Sequence, residues 1–266
     1  MEWEAHTKNS ANGSAESEEH STDYKENYVG LEMPMCSFVS LTSLLQKLPL
    51  NKAPGPDCIS AEHLLYADES LCFFLSKLFN MCIVHGYIPN SCLNTCKNKN
   101  GNMSDTLYYR PVAVATVVSK LLEHFILSSI SPFLGSTDDR FGFEAGQRTD
   151  QCTFLLKQTV SYFATHGSSL HAMFLDAPKA CNQVLHMKLF EKLIQTKVPM
   201  CFMRLLKHWY KEQTTQIKWG KHFSEPFHVS KGVRQGVLLS PYLFAVYLDQ
   251  ESQAQIAPWV TWGLTR

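Results

Sequence analysis

The sequence lacks any run of about 20 apolar residues, so no membrane-spanning helix is expected. Its first residues, MEWEAHTKNS, are acidic and polar, so they are not expected to act as a signal peptide. With 13 Gly and 12 Pro, it has too few of either for a collagen-like or wholly disordered chain. It has no internal repeat, no phosphate-binding P-loop, no Gly-x-Ser-x-Gly and no His-Glu-x-x-His. It also lacks net charge, because 24 bases cancel 24 acids. What remains is a 266-residue chain that is 45% hydrophobic, enough for one large domain or two lobes around a substantial core.

The zero net charge hides an asymmetry. Residues 1–26 hold seven acids (Glu2, Glu4, Glu16, Glu18, Glu19, Asp23, Glu26) against Lys8 and Lys25. The remainder holds 22 bases and 17 acids, so a mildly basic body follows an acidic lead. Such a body permits nucleic-acid binding without establishing it. Nine cysteines, an odd number at irregular spacing, fit reduced thiols better than a disulfide frame.

Residues 1–30, rich in Ser, Glu, Asn and His, read as a disordered lead, with order beginning near Phe38. Leu41, Leu44, Leu45 and Leu48 have helical spacing. The stretch Asn51-Lys52-Ala53-Pro54-Gly55-Pro56-Asp57 must break that helix. A strong helix is expected over Asp68–His85, with Leu71, Phe74, Leu75, Leu78, Phe79 and Cys82 on one face, Asp68 as cap and Gly86 as terminator. Further helices are expected near Val117–Leu127, from Thr149 to before Gly167 with Cys152, Leu155, Leu156 and Phe163 inward, and over Pro199–Glu212 with Phe202, Leu205, Leu206 and Trp209 inward. Residues 170–176 read as a short apolar strand ending in Asp176, and 217–219 with 227–229 as a hairpin. Ser240-Pro241 reads as the start of a last helix. The pattern is helix-rich α+β with few strands, grouped late, rather than βαβ alternation.

Three segments carry chemistry. Asp176, at the end of its strand, offers hard oxygen ligands to a cation, although a strand terminator is the commoner use of such a residue. Gly232-Val233-Arg234-Gln235-Gly236 brings backbone close to a substrate, with the Gln235 amide as donor and acceptor; an ordinary Gly-bounded turn is the plain alternative. In Tyr109-Arg110-Pro111, a rigid proline fixes an Arg whose fork suits a phosphate. Two other signals weigh less. Cys82, His85, Cys92 and Cys96 are loosely spaced for zinc, and Cys82 belongs to an apolar helix face. Arg204, Lys207 and Lys211 form a basic stripe suited either to a nucleic-acid backbone or to plain solvation.

Taken in order, NKAPGPDCIS, YRPVAV, FGFEAGQRTDQCTFLL, FLDAPKACNQV and GVRQGVLLSPYLFAVYLD resemble the reverse transcriptase domain of LINE-type retrotransposons, those without long terminal repeats, over about Leu50 to Asp249. The resemblance implies a right-hand polymerase, with fingers and a palm built on a small antiparallel sheet. It implies an enzyme that extends a DNA primer on an RNA template with two Mg²⁺ ions, in-line phosphoryl transfer being clamped between the cations. It casts Asp176 as the catalytic residue that binds metal, and Arg110 as a fingers contact to the triphosphate. Gln235, Gly232 and Gly236, with Cys181, line the nucleotide and template pocket. Asn51, Lys52 and Gly55 lie in the leading fingers motif. The expected organisation is an acidic lead over 1–35, fingers over 36–165, a partial palm over 166–249 and an unrelated tail over 250–266.

The sequence departs from that pattern at several points. The first palm motif, usually Asp, two variable residues, then Lys-Ala-Phe-Asp, reads Asp176-Ala177-Pro178-Lys179-Ala180-Cys181-Asn182. Cys181 replaces the Phe that screens against a ribose 2′-hydroxyl, and Asn182 replaces the second Asp. Gly236-Val237 replaces a Gly-Gly pair, Cys58 stands where the leading motif usually has Gly, and Arg140 replaces a polar amide. No aromatic-x-Asp-Asp hairpin follows; Tyr247-Leu248-Asp249-Gln250 is similar only superficially and falls in an expected helix. One carboxylate cannot hold two Mg²⁺ against their mutual repulsion, so the expectation is a domain inactive in isolation. The alternatives are a non-catalytic nucleic-acid-binding module and a degraded element product without selected function. An open sheet edge beside strand 170–176 is a further expected route to association.

Overall fold

The computed structural model describes residues 34–89, 94–97, 112–134, 148–172, 174, 180–219 and 222–256. Helix α1, Phe38–Gln46, starts where the Ser37 hydroxyl accepts the Ser40 amide proton at 3.1 Å. It buries Leu41, Leu44 and Leu45, and Leu48 follows them into the core. The short α2, Ala61–Leu65, leads into α3, Glu69–His85, which is capped by the Asp68 carboxylate and ended by Gly86 at φ +63°. Gly86 also lets another helix approach, since a Cβ there would lie 3.1 Å from the Arg204 Cβ. Helix α4, Val117–Ile130, is capped by the Thr116 hydroxyl. Then come α5, Thr149–Thr165, α6, His186–Gln195, α7, Met200–Glu212, and α8, Leu239–Ile256.

The sheet is small: β1 Asn94–Lys97, β2 Val112–Val114, β3 Thr214–Trp219, β4 His222–Phe223 and β5 Phe227–His228. Its order is β2-β1-β3-β4, with β5 also paired to β3. β1 meets β2 antiparallel, Cys96 opposite Ala113, and β3 meets β4 and β5 antiparallel. One pairing, β1 with β3, is parallel, with Thr95 opposite Gln216. The sheet therefore joins a strand ahead of α4 to strands that follow α7, which brings distant parts of the sequence together.

One hydrophobic cluster runs from Cys36 to Val246 and takes residues from α1, α3, α4, α6, α7 and α8. Phe79, Ile83, Leu121, Ile126, Ile130, Leu189, Leu193, Phe202, Met203, Leu205 and Leu206 are, with Leu41, its largest fully buried side chains. The chain is thus a helix-rich α+β fold with a small, mostly antiparallel sheet. Among the described residues, no helix is long and apolar enough to cross a membrane.

Several elements differ from the sequence expectation. Helix α4 runs three residues beyond Leu127, and α8 begins at Leu239, which places Ser240 inside its first turn. In α3 the buried face is Cys72, Leu75, Ser76, Phe79, Cys82 and Ile83, while Phe74 is exposed and Leu71 and Leu78 only flank the core. The larger correction is α5, which buries no residue at all: Leu155 and Leu156, expected inward, face solvent with Phe154 and Tyr162. Apolar residues on both sides of that helix blur its single face, and among the described residues no element packs closely enough to bury one of them. Of the expected strand 170–176, residues 170–172 and Phe174 are described; they have no regular structure and are exposed. β3, already bonded to β1 on one side and to β4 and β5 on the other, has no free edge for it.

Candidate functional site

The Gly232–Gly236 loop is the centre on which the sequence motifs converge. Gly232 has φ +98° and Gly236 has φ +93°, conformations that L side chains rarely adopt. Space forbids a side chain as well. A Cβ on Gly232 would meet the Asn182 Cα at 3.0 Å and the Cys181 carbonyl oxygen at 3.1 Å. One on Gly236 would meet the Val112 Cγ1 at 2.8 Å and the Ala113 oxygen at 3.3 Å. The two glycines thus let one loop touch both the tail of the first palm motif and the strand that continues the YRPVAV motif.

Hydrogen bonds hold that arrangement. The Gly232 amide donates to the Val184 carbonyl and the Val233 amide to the Cys181 carbonyl, each at 2.8 Å. The Ala113 amide, on the side of β2 away from β1, donates to the Gln235 carbonyl at 2.6 Å. The Gln235 side-chain Nε2 donates to Asn182 Oδ1 at 3.2 Å. His186 Nε2, at the start of α6, donates to the Gly232 carbonyl at 2.9 Å. The leading fingers motif joins from the far side: Gly55 is buried where a Cβ would lie 2.9 Å from the Thr116 Cα and 3.0 Å from the Ala115 oxygen. Gly55 therefore seats the leading loop on the β2–α4 junction.

Beneath the loop lies a buried polar cluster. Arg234 turns inward, its Nη2 3.0 Å from Glu123 Oε1, and its guanidinium sits 4.2 Å over the Trp209 ring. Glu123, on α4, has no exposed side-chain surface. Its other oxygen accepts the Leu239 amide at 3.2 Å. Burial pushes the Glu123 carboxyl above its ordinary value, against the pull of Arg234 and of the Leu239 and Leu238 amides. Next to it, burial pushes the Tyr210 hydroxyl, bonded to Ser240, up to about 12, so it stays protonated. Burial also holds His186 below the usual imidazole value.

Four of the sequence-derived site residues are therefore placed together: Gly232, Gln235, Gly236 and Cys181. Cys181 is half-buried and packs against the core cluster. Asp176 and Arg110 lie outside the described residues, as does Cys92 of the loosely spaced zinc set, whose Cys82 is buried in the core. The described donors around the loop, Asn182 Oδ1 and the carbonyls of Cys181 and Gln235, are neutral and already accept protein protons. They do not fit the hard anionic ligand set that Mg²⁺ favours. Val237, which stands in place of the second Gly of the usual pair, has no positive φ and is buried. Two residues of this site were missed in the sequence, Glu123 and His186. Glu123 carried a signal: it sits in phase with Ser119, Ile126 and Ile130 in an apolar helix, and a buried charge needs a partner.

A helix-rich α+β fold thus clamps a Gly-bounded loop between the Cys181–Val184 segment and β2, and so gathers segments that resemble those of a reverse transcriptase domain. The chain belongs to the reverse transcriptase (RNA-dependent DNA polymerase) family, which it matches over residues 96–259. It is 25% identical over 90% of its length to a probable RNA-directed DNA polymerase from transposon X-element of Drosophila melanogaster. It is 26% identical over 85% of its length to the RNA-directed DNA polymerase from mobile element jockey of the same organism. It is also 26% identical over 74% of its length to a retrovirus-related Pol polyprotein from type-1 retrotransposable element R2 of Nasonia vitripennis. The chain spans 27%, 26% and 19% of those relatives' own lengths. The family match passes Gln250, and α8 runs across that position without a break.

Proposed function

We propose that this chain is the fingers-and-palm part of an RNA-directed DNA polymerase, holding an RNA template, a DNA primer and an incoming nucleotide around Gln235. The observation that carries the reading is the convergence of the leading fingers loop, β2, the Cys181–Val184 segment and the Gly232–Gly236 loop, which are far apart in sequence and joined by direct contacts. In this reading Asp176 is the ligand for Mg²⁺, and Arg110 meets the triphosphate. The motifs FLDAPKACNQV and GVRQGV hold one carboxylate between them, Asp176. Two divalent cations need more anionic oxygen than that to share one site. The 266-residue polypeptide on its own is therefore expected to bind template–primer without extending it.

Primer extension on an RNA template with Mg²⁺ and deoxynucleotides, run beside a binding titration, tests both halves. The expected result is salt-dependent binding and no elongation. Elongation abolished by Asp176→Ala would overturn the inactivity, and absence of binding at low salt would overturn the template–primer reading. If the chain is instead a degraded product, heating should give a broad, non-cooperative transition rather than the single one its continuous core implies.

A further inference from the structure

The loop that carries Gln235 is not held by its own residues alone. Arg234 precedes Gln235, and its guanidinium is tied to Glu123 at 3.0 Å. Leu239 follows Gln235 by four residues, and its amide donates to the other oxygen of the same carboxylate at 3.2 Å. A single carboxylate on α4 thus fastens both sides of the 235–238 segment. It is itself immobilised, with no exposed surface and with the Trp209 ring covering its partner. Whatever Gln235 does, its position is set from beneath by Glu123. Other ties hold the rest of the loop: Gln235 Nε2 to Asn182, the Gln235 carbonyl to the Ala113 amide, the Gly232 and Val233 amides to the Val184 and Cys181 carbonyls, and His186 to the Gly232 carbonyl. Arg234, despite lying next to Gln235, is turned inward and does not offer its charge to a phosphate.

We propose that Glu123 is the positioning residue for this loop: by gripping Arg234 on one side of Gln235 and the Leu239 amide on the other, it fixes where Gln235 meets a nucleotide paired to the template. The nucleotide contact rests on the template–primer reading above, whereas the gripping of the loop does not. A preorganised contact of this kind depends on supports whose own geometry is locked, and a buried bidentate carboxylate is such a support. Loss of one partner leaves the other buried without its counter-charge, so the loop has a strong reason to move when Glu123 is neutralised.

Amide exchange on the full 266-residue chain tests the grip directly. Glu123→Gln is compared with Leu121→Ala, which damages the same helix in the core without touching the loop. In Glu123→Gln, exchange should rise at least tenfold in residues 232–239 and in β2, whose Ala113 amide reports on Gln235, while α3 and α7 keep their protection. Leu121→Ala should raise exchange broadly. If Glu123→Gln does not fold, Arg234→Lys, which keeps the charge and loses the fork, should show the same local pattern in weaker form. A pattern in either variant that matches Leu121→Ala, or that leaves 232–239 unchanged, overturns the proposal. In a second arm, a correctly paired deoxynucleotide should tighten template–primer binding to the unsubstituted chain, and Glu123→Gln should lose at least tenfold of that tightening with duplex binding unchanged. If the unsubstituted chain shows no tightening, the nucleotide reading fails and the exchange result alone decides the grip.

Discussion

Cys58 has φ +58°, a left-handed backbone in a residue with a Cβ, and its amide closes a turn onto the Gly55 carbonyl at 3.1 Å. That is the position at which the leading fingers motif usually carries Gly, so the structure supplies the physical reason for the usual residue and shows this chain bearing the strain. A left-handed L-residue costs about 1–2 kcal/mol, part of which glycine returns through its freer unfolded state. Cys58→Gly is expected to stabilise the fold by about 0.5–1 kcal/mol, read as a rise in denaturant midpoint with unchanged slope. Gly232→Ala should act in the opposite direction. Its Cβ would press on backbone atoms of Cys181 and Asn182, which cannot rotate away, so a loss of about 1–3 kcal/mol is expected in the same titration. A null result for Gly232→Ala would mean that the loop and the Cys181–Val184 segment are not packed as described.

Among the elements, α7 and α5 make a useful contrast: both carry many apolar residues, and they end in opposite environments. α7 places Phe202, Leu205, Leu206 and Trp209 inward as its spacing implies, because its apolar residues share one face with no rival. α5 scatters Phe154, Leu155, Val160 and Tyr162 around its axis and buries none of them. Phe202→Ala should therefore cost about 3–5 kcal/mol through the cavity it leaves, whereas Phe154→Ala should stay within about 0.5 kcal/mol. Equal losses in the two would show that α5 has a packing partner. The same contrast explains what was legible. The caps Asp68 and Gly86, the faces of α1 and α7, and the Gly-bounded loop follow from local chemistry that any neighbour must respect. The parallel register of β1 on β3 and the Glu123–Arg234 pair could not be read, because both join residues more than 100 positions apart and nothing local specifies them. Of the candidate site, Gln235, Gly232 and Gly236 were evident from the motif, and Asn182 was noticed only as a departure. Its role as acceptor for the Gln235 amide needed the folded chain.

At the scale of the whole molecule, one core ties the helices before β3 to the helix that follows the sheet, so stability is shared and its pH dependence is a global property. Among the described residues, the fold holds two half-buried histidines below the usual imidazole value. Burial lowers His186, whose neighbours are the Gly232 carbonyl, the Tyr210 ring at 4.8 Å and the more distant His228. Burial and Lys47 lower His124. Tyr210 is uncharged throughout this range. For a base whose folded value is depressed, the unfolded chain binds more protons below the ordinary value of 6.5, so stability rises with pH across that window and is lost as pH falls through it. Asp68 and Glu62, lowered by hydrogen bonds, act in the same direction further down, below their ordinary carboxylate values. Glu123 opposes them, since a buried carboxyl with a raised value favours protonation in the fold. That opposing contribution cancels when one histidine is changed and the rest are kept. His186→Gln retains an amide donor toward the Gly232 carbonyl and removes the titration. Its unfolding free energy should show a shallower loss between pH 6.5 and 5 than that of the unsubstituted chain, with His124→Gln giving a second, additive flattening because the two sites share no contact. Denaturant titrations at stepped pH measure the slopes. An unchanged slope in both variants would mean that neither imidazole is held neutral by the fold, and the packing of α6 against the Gly232 loop would need revision.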